Sequence, residues 1–137
     1  CLMVNSIQVL SQNQRTRFLK VRIKGNKIKI FFKEKLILED VALANNFLSR
    51  FTGYMFRRKP HVNGILFEPA KSMQTTFMYF NLDILFLNKN NQIIKILREV
   101  KPWRQTRFYF HAKKALEVPS GNLSFLNEGD YLKILKD

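Results

Sequence analysis

The sequence predicts a mainly β protein: a single β-sandwich or barrel-like domain with one short helix and an N-terminal basic β-hairpin. Three observations carry this expectation. Short runs rich in Ile, Leu, Val and Phe recur at near-regular intervals with turn residues between them, the pattern of sandwiches and barrels. The first clear run alternates apolar and basic residues on both sides of a Gly-Asn pair. The chain has 137 residues, 46% of them hydrophobic, which is enough for one apolar core and too apolar for a disordered segment.

Taken in order, residues 1–17 have no sustained period and read as a poorly ordered N-terminal segment, with residues 18–137 forming one β-rich domain. Leu19, Val21 and Ile23 alternate with Lys20, Arg22 and Lys24, and Gly25-Asn26 follows, a pair that tolerates the positive φ of a tight turn. Ile28, Ile30 and Phe32 then alternate with Lys27 and Lys29. The result is a hairpin with one apolar and one basic face. Leu36 to Ala44 fits a strand or the start of a helix. Leu43, Phe47 and Phe51 have helical spacing, with Asp40 as one cap and Asn45 or Asn46 as the cap of a shorter helix that Gly53 would end. Beyond Gly53 the candidate strands are 64–67, 75–80, 83–87, 93–97, 107–111, 115–118 and 131–135. Asn88 to Asn91, Lys101-Pro102, Pro119-Ser120-Gly121 and Glu128-Gly129 supply turns between them.

Charge is the strongest bulk signal. The chain carries 24 Lys and Arg against 10 Asp and Glu, a net charge of +14. Such an excess favours an acidic protein surface or an anionic membrane, with nucleic acid as a further class, although abundant Asn, Lys, Ile and Phe also fit an A- and T-rich genome. Lys20, Arg22, Lys24, Lys27 and Lys29 share the hairpin's polar face. Repulsion between them would be relieved by an anionic partner, or the lysines would keep an exposed edge from pairing with other strands. Lys101, Trp103, Arg104, Arg107 and Tyr109, with His111, form a second constellation. Basic groups interleaved with rings can hold phosphates and stack bases; the rings can equally complete a core or an interface. Arg57, Arg58 and Lys59 read as a solvated turn.

Signals for catalysis are poor, and the chain reads as a binding protein without cofactor. It has no glycine-rich phosphate loop and no nucleophile elbow. His61 and His111 lack companions at metal-ligand spacing, so no metal site is expected. Asp83 and Glu117 each sit inside an apolar run, where burial requires a partner. Facing each other they could perform acid–base work; separately they would anchor loops or pair with arginine. One cysteine, Cys1, allows no intrachain disulfide. A start at Cys rather than Met fits a cytoplasmic protein or an envelope-associated one with a removed N-terminus. No apolar run reaches the ~18 residues that span a bilayer.

From Val41 onward the order of motifs resembles the domain of unknown function 192 family, over residues 41–135. Ala44 to Arg57 is similar to its opening: an alanine, a short helix carrying Arg50, then Gly53, Tyr54 and Met55 where Gly-Leu-Met is usual. Gly64 to Pro69 resembles its glycine-led strand. Thr75 to Leu87 resembles its most specific motif, a threonine, an aromatic and a methionine ahead of Leu82-Asp83. Lys101 to Arg104, Leu116 to Gly121 and Gly129-Asp130 follow in order. The resemblance implies a sandwich-like fold with the shorter helix and no established enzyme activity. It also implies envelope, secretion or pilus association for some members. Arg50, Gly53, Met55, Asp83, Glu117, Gly121, Gly129 and Asp130 are thereby expected in structural roles: glycines at special backbone angles, carboxylates fixing turns or pairing with Arg50. Gln74 stands where a histidine often precedes the threonine, which puts metal or acid–base use of that position in doubt. The resulting expectation is a non-catalytic binding or assembly module docking through its basic hairpin. Nucleic-acid binding and a ligand site or small enzyme at Asp83 and Glu117 are its rivals.

Overall fold

The computed structural model describes residues 2–3, 28–45, 54 and 57–136. Nine strands follow in chain order: β1 Leu2–Met3, β2 Ile28–Phe32, β3 Lys35–Ala44, β4 Gly64–Phe67, β5 Met73–Gln74, β6 Leu82–Leu87, β7 Ile93–Val100, β8 Lys114–Pro119 and β9 Lys133–Lys136. Seven of them form one mixed sheet in the order β7-β6-β8-β4-β3-β2-β9, and β1 pairs with β5 in a small second sheet. All ladders are antiparallel except β3–β4. No helix occurs among the described residues; the helix expected around Arg50, Gly53 and Met55 lies outside them.

The central strands are those whose apolar runs are continuous. All six residues of β6 and all four of β4 are buried, as befits strands covered on both faces. β4 starts at a glycine because a Cβ on Gly64 would lie 3.0 Å from Leu38 Cδ2 and 3.3 Å from the Glu117 carbonyl oxygen. Ile65, Phe67, Ile84, Phe86 and Ala115 line one face of the sheet, beneath Tyr54, Met73 and Met78. Leu66, Leu85, Leu87, Leu116 and Val118 line the other, with Ile28, Ile30, Leu123, Leu126 and Leu132. The edges approach at one end only: Gly129 N–H donates to Ile93 O (2.7 Å), Ile93 N–H to Asp130 O (2.8 Å) and Leu132 N–H to Asn91 O (2.9 Å). No ladder joins β7 to β9, so the described sheet is not closed into a barrel. Its second layer is a pair of two-residue strands rather than a full opposing sheet.

Several local expectations change. Ile28–Phe32 is a strand, but β3 and β9 occupy its two edges from Ile28 to Phe31. Residues 19–24, the other arm of the expected hairpin, lie outside the described residues. The tight turn next to β2 is Lys33-Glu34, both at positive φ (52° and 65°), the handedness a two-residue hairpin turn requires. Alternation dictates which face a strand buries, not which neighbour it takes. Residues 75–80 are not a strand: after Met73–Gln74 the chain turns through Phe77 at φ 62°. Residues 107–111 are not a strand either: no ladder forms there, and the chain turns at its end, with Ala112 N–H donating back to Tyr109 O (3.0 Å). Leu2–Met3 forms β1 against β5; the rest of the segment 1–17 lies outside the described residues.

Candidate functional site

The segment after β7 has no regular structure, yet it is fastened along its length to residues 71–75. Trp103 N–H donates to Thr75 O (3.0 Å), Thr75 N–H to Arg104 O (2.8 Å), Thr106 N–H to Met73 O (2.9 Å) and Tyr109 N–H to Lys71 O (2.7 Å). Gln74 and Gln105 pair as a bridge, and the Gln74 side-chain amide donates a hydrogen bond to Gln105 Oε1 (3.2 Å). Buried Thr75 is the central fastener: its hydroxyl donates to Lys101 O (2.8 Å) and accepts the Arg104 N–H (2.8 Å). Lys71 closes the far end, its ammonium donating to Phe110 O (2.6 Å) and Ala112 O (2.8 Å). A segment with so many backbone anchors presents its side chains in a defined way.

Those side chains are basic and aromatic. Residues 101–116 contain no Asp or Glu. Trp103 is 60% exposed, Phe108 65% and Phe110 73%, and Tyr79 is exposed on the facing loop. Lys101, Arg104, Arg107, His111 and Lys113 are exposed as well. Among the described residues, no ion pair engages any of them. Tyr109 turns the other way: its ring packs on Phe86 of β6, centroids 4.6 Å apart, and so pins the strip to the core. Trp103 meets Phe77 edge to face at 4.8 Å. Beside Phe110, an open cleft of about 610 Å³ is lined by Lys71, Lys89, Lys113, His111, Asn88 and Asn90. Of the basic hairpin face only Lys29 falls within the described residues, exposed on β2; Lys20, Arg22, Lys24 and Lys27 lie outside them.

The two strand carboxylates have different fates. Asp83 accepts from Glu99 N–H (2.9 Å), the Ser120 hydroxyl (3.1 Å) and Gly121 N–H (3.0 Å), with Arg98 at 3.8 Å. It thereby holds the β7 bulge at Arg98 and Glu99 and the turn after β8, where Gly121 takes φ 92°. Asp130 fixes another turn by accepting Asn127 N–H at 2.8 Å, next to Gly129 at φ 96°. Glu117 is fully buried, and neither carboxylate oxygen has a hydrogen-bond partner among the described residues. Desolvation pushes its pKa up to about 8, so the neutral acid is its stable form at pH 7.

On Glu117's side of the sheet lies Tyr54, fully buried, its hydroxyl donating to Val62 O (3.0 Å). The nearby Glu117 and Asp40 add to burial in raising its pKa. His61 packs edge-on against Tyr54 at 5.6 Å. Burial, with Arg57 adding to it against the opposing pull of Asp40, lowers its pKa to about 4. Among the described residues no group of three or more His, Cys, Asp and Glu could hold a metal ion.

Sequence reasoning gathers Lys101, Trp103, Arg104, Arg107 and Tyr109, leaves open whether the rings are displayed or buried, and leaves out Phe108, Phe110, Lys71, Lys89 and Lys113. The absence of acids from 101 to 116 was the available signal for the wider strip. Nothing in the sequence pairs Tyr54 with His61.

A UPF0127 protein of Pyrococcus furiosus is 37% identical over 103 residues, covering 69% of this chain and 84% of that protein. Two crystal structures share the fold. One is a protein of unknown function from Novosphingobium aromaticivorans (TM-score 0.67, 17% identity, 78% of this chain and 83% of that one). The other, from Sinorhizobium meliloti, is described as a candidate transcription regulator (TM-score 0.68, 23% identity, 83% and 96%). The family model of DUF192, described as Uncharacterized ACR, matches residues 29–134. With the open β sheet, the Asp83 turn anchor and the Gly129-Asp130 turn in place, the chain belongs to the DUF192 family.

Proposed function

We propose that the protein is a non-catalytic binding module that docks on an anionic surface through the strip 101–113. The reading rests on one observation: an acid-free run of cations and rings is held outward by backbone bonds to 71–75. Exposed apolar rings of this size on a soluble face mark interaction sites, and the unpaired cations add long-range attraction to negative charge. The enzyme reading has less support, because Asp83 and Glu117 point to opposite faces of the sheet.

The test is a salt titration of binding to phosphatidylglycerol vesicles and to single- and double-stranded oligonucleotides, side by side. It compares the native chain with the triple variant Lys101→Glu, Arg104→Glu, Arg107→Glu. Binding to at least one probe should fall steeply with salt and be lost in the variant. Equal binding by variant and native chain would remove the strip from the docking face. Nucleic acid is the second reading, favoured by Trp103 standing exposed between Lys101 and Arg104 and by the description of the Sinorhizobium relative. The same titration distinguishes the two.

A further inference from the structure

We infer that the partner of this strip is an anionic lipid bilayer, with Phe108 and Phe110 entering the headgroup–acyl boundary and the cleft beside Phe110 receiving lipid phosphates. This rests on the docking reading above and narrows it to one class of partner.

The form of the exposed rings carries the inference. Nucleic acid stacks on ring faces, whereas a bilayer takes apolar side chains by their tips. Phe110 has a face already occupied: the Lys71 ammonium stands 5.6 Å from its centroid. The His111 ring meets it edge-on at 5.4 Å. Its far end is open to solvent, the ring being 73% exposed. Phe108 is exposed as well, while Tyr109 between them in the chain is drawn inward onto Phe86. Neither phenyl ring has a polar atom to satisfy in water, so only an apolar environment rewards their exposure.

The surroundings match the layer above the acyl chains. Lys71, Lys89, Lys113 and His111 line the cleft with Asn88 and Asn90, and no carboxylate lines it. Asn88 is rigid, its Oδ1 accepting Asn90 N–H (2.9 Å) and Gln92 N–H (3.0 Å). The β6–β7 turn and the strip thus form two fixed walls with cations between them. Cations around inserted rings are the arrangement that interfacial anchors use on anionic leaflets.

Trp103 is the only tryptophan and lies on the strip, so the native chain reports its own insertion. Flotation with vesicles of phosphatidylcholine alone, and of phosphatidylcholine mixed with phosphatidylglycerol, is measured together with tryptophan emission. The full chain should float with the mixed vesicles only, with a blue shift. The double variant Phe108→Ala, Phe110→Ala, which alters exposed rings and should unfold at the native midpoint, should lose roughly tenfold or more of the partitioning. Phe108→Leu, Phe110→Leu should recover most of it. Undiminished flotation of the alanine variant would overturn insertion while leaving docking by charge intact. Salt-sensitive binding to oligonucleotides without flotation would overturn the bilayer and keep the strip as a nucleic-acid face. Binding to neither probe would remove both readings.

Discussion

Asp83 and Glu117 lie on neighbouring strands, one step apart in register, and face opposite sides of the same sheet. Val118 is the partner of Asp83 and Ile84 that of Glu117, so the two carboxylates alternate away from each other. One reaches the turns at the sheet's end and is satisfied four ways; the other is enclosed by an apolar layer. They share no pocket, and each has its own physical consequence.

Asp83 ties β6 to the β7 bulge and to the turn after β8. Asp83→Asn keeps the shape but loses the charge and should cost about 1–3 kcal/mol. Asp83→Ala leaves the Glu99 and Gly121 amides without their acceptor and Arg98 without its counter-ion, and should cost about 3–5 kcal/mol. Urea unfolding measures both, and hydrogen exchange at Gly121 should quicken in each. An alanine variant unfolding at the native midpoint would show that the carboxylate holds nothing.

Glu117 makes stability fall with rising pH. Its folded pKa of about 8 lies above the ordinary 4.5, so between these values the folded state holds a proton that the unfolded state has released. Stability is full below about 4.5, declines by about 1.4 kcal/mol per pH unit through the window, and levels off above about 8. His61 acts oppositely: with its folded pKa at about 4 against 6.5, stability is lost as pH falls through that interval. The two slopes oppose each other between about 4.5 and 6.5, leaving Glu117 alone from there to about 8. Glu117→Met should flatten this upper limb, so that its gain in stability over the native chain grows by about 1.4 kcal/mol for each pH unit up to about pH 8. Urea midpoints between pH 6 and 9 test it; an unchanged slope in the variant would assign the decline to another group.

Thr75 governs the strip from beneath. Thr75→Val is nearly isosteric but strands the Lys101 carbonyl and the Arg104 amide, at a cost of about 1–3 kcal/mol. Exchange of the Arg104 and Thr106 amides should quicken, while that of β6 and β8 stays close to native. Uniform quickening across the chain would mean that the strip is not a separate unit.

The extent to which the fold was legible follows from how local its causes are. Gly64–Phe67 and residues 83–87 could be read because a continuous apolar run between turn residues suits a strand covered on both faces. For Asp83 only the need for donors was legible, since a lone carboxylate in such a run must find them; whether turn amides or an arginine supply them was not. Residues 107–111 misled because a run of aromatic residues suits a strand whether its rings are buried or displayed; only the bonds to 71–75 and the packing of Tyr109 on Phe86 decide it.

By itself the sequence determined a β protein with a strong positive charge, the DUF192 motifs and most strand positions, all set by short-range pattern and turn chemistry. Tertiary structure alone decided that β2 lies between β3 and β9, that Asp83 and Glu117 diverge, and that an irregular segment becomes a rigid basic–aromatic strip. These outcomes depend on which distant strand supplies the neighbour and which backbone groups find partners across the sheet, and residue pattern along one chain carries no information about either.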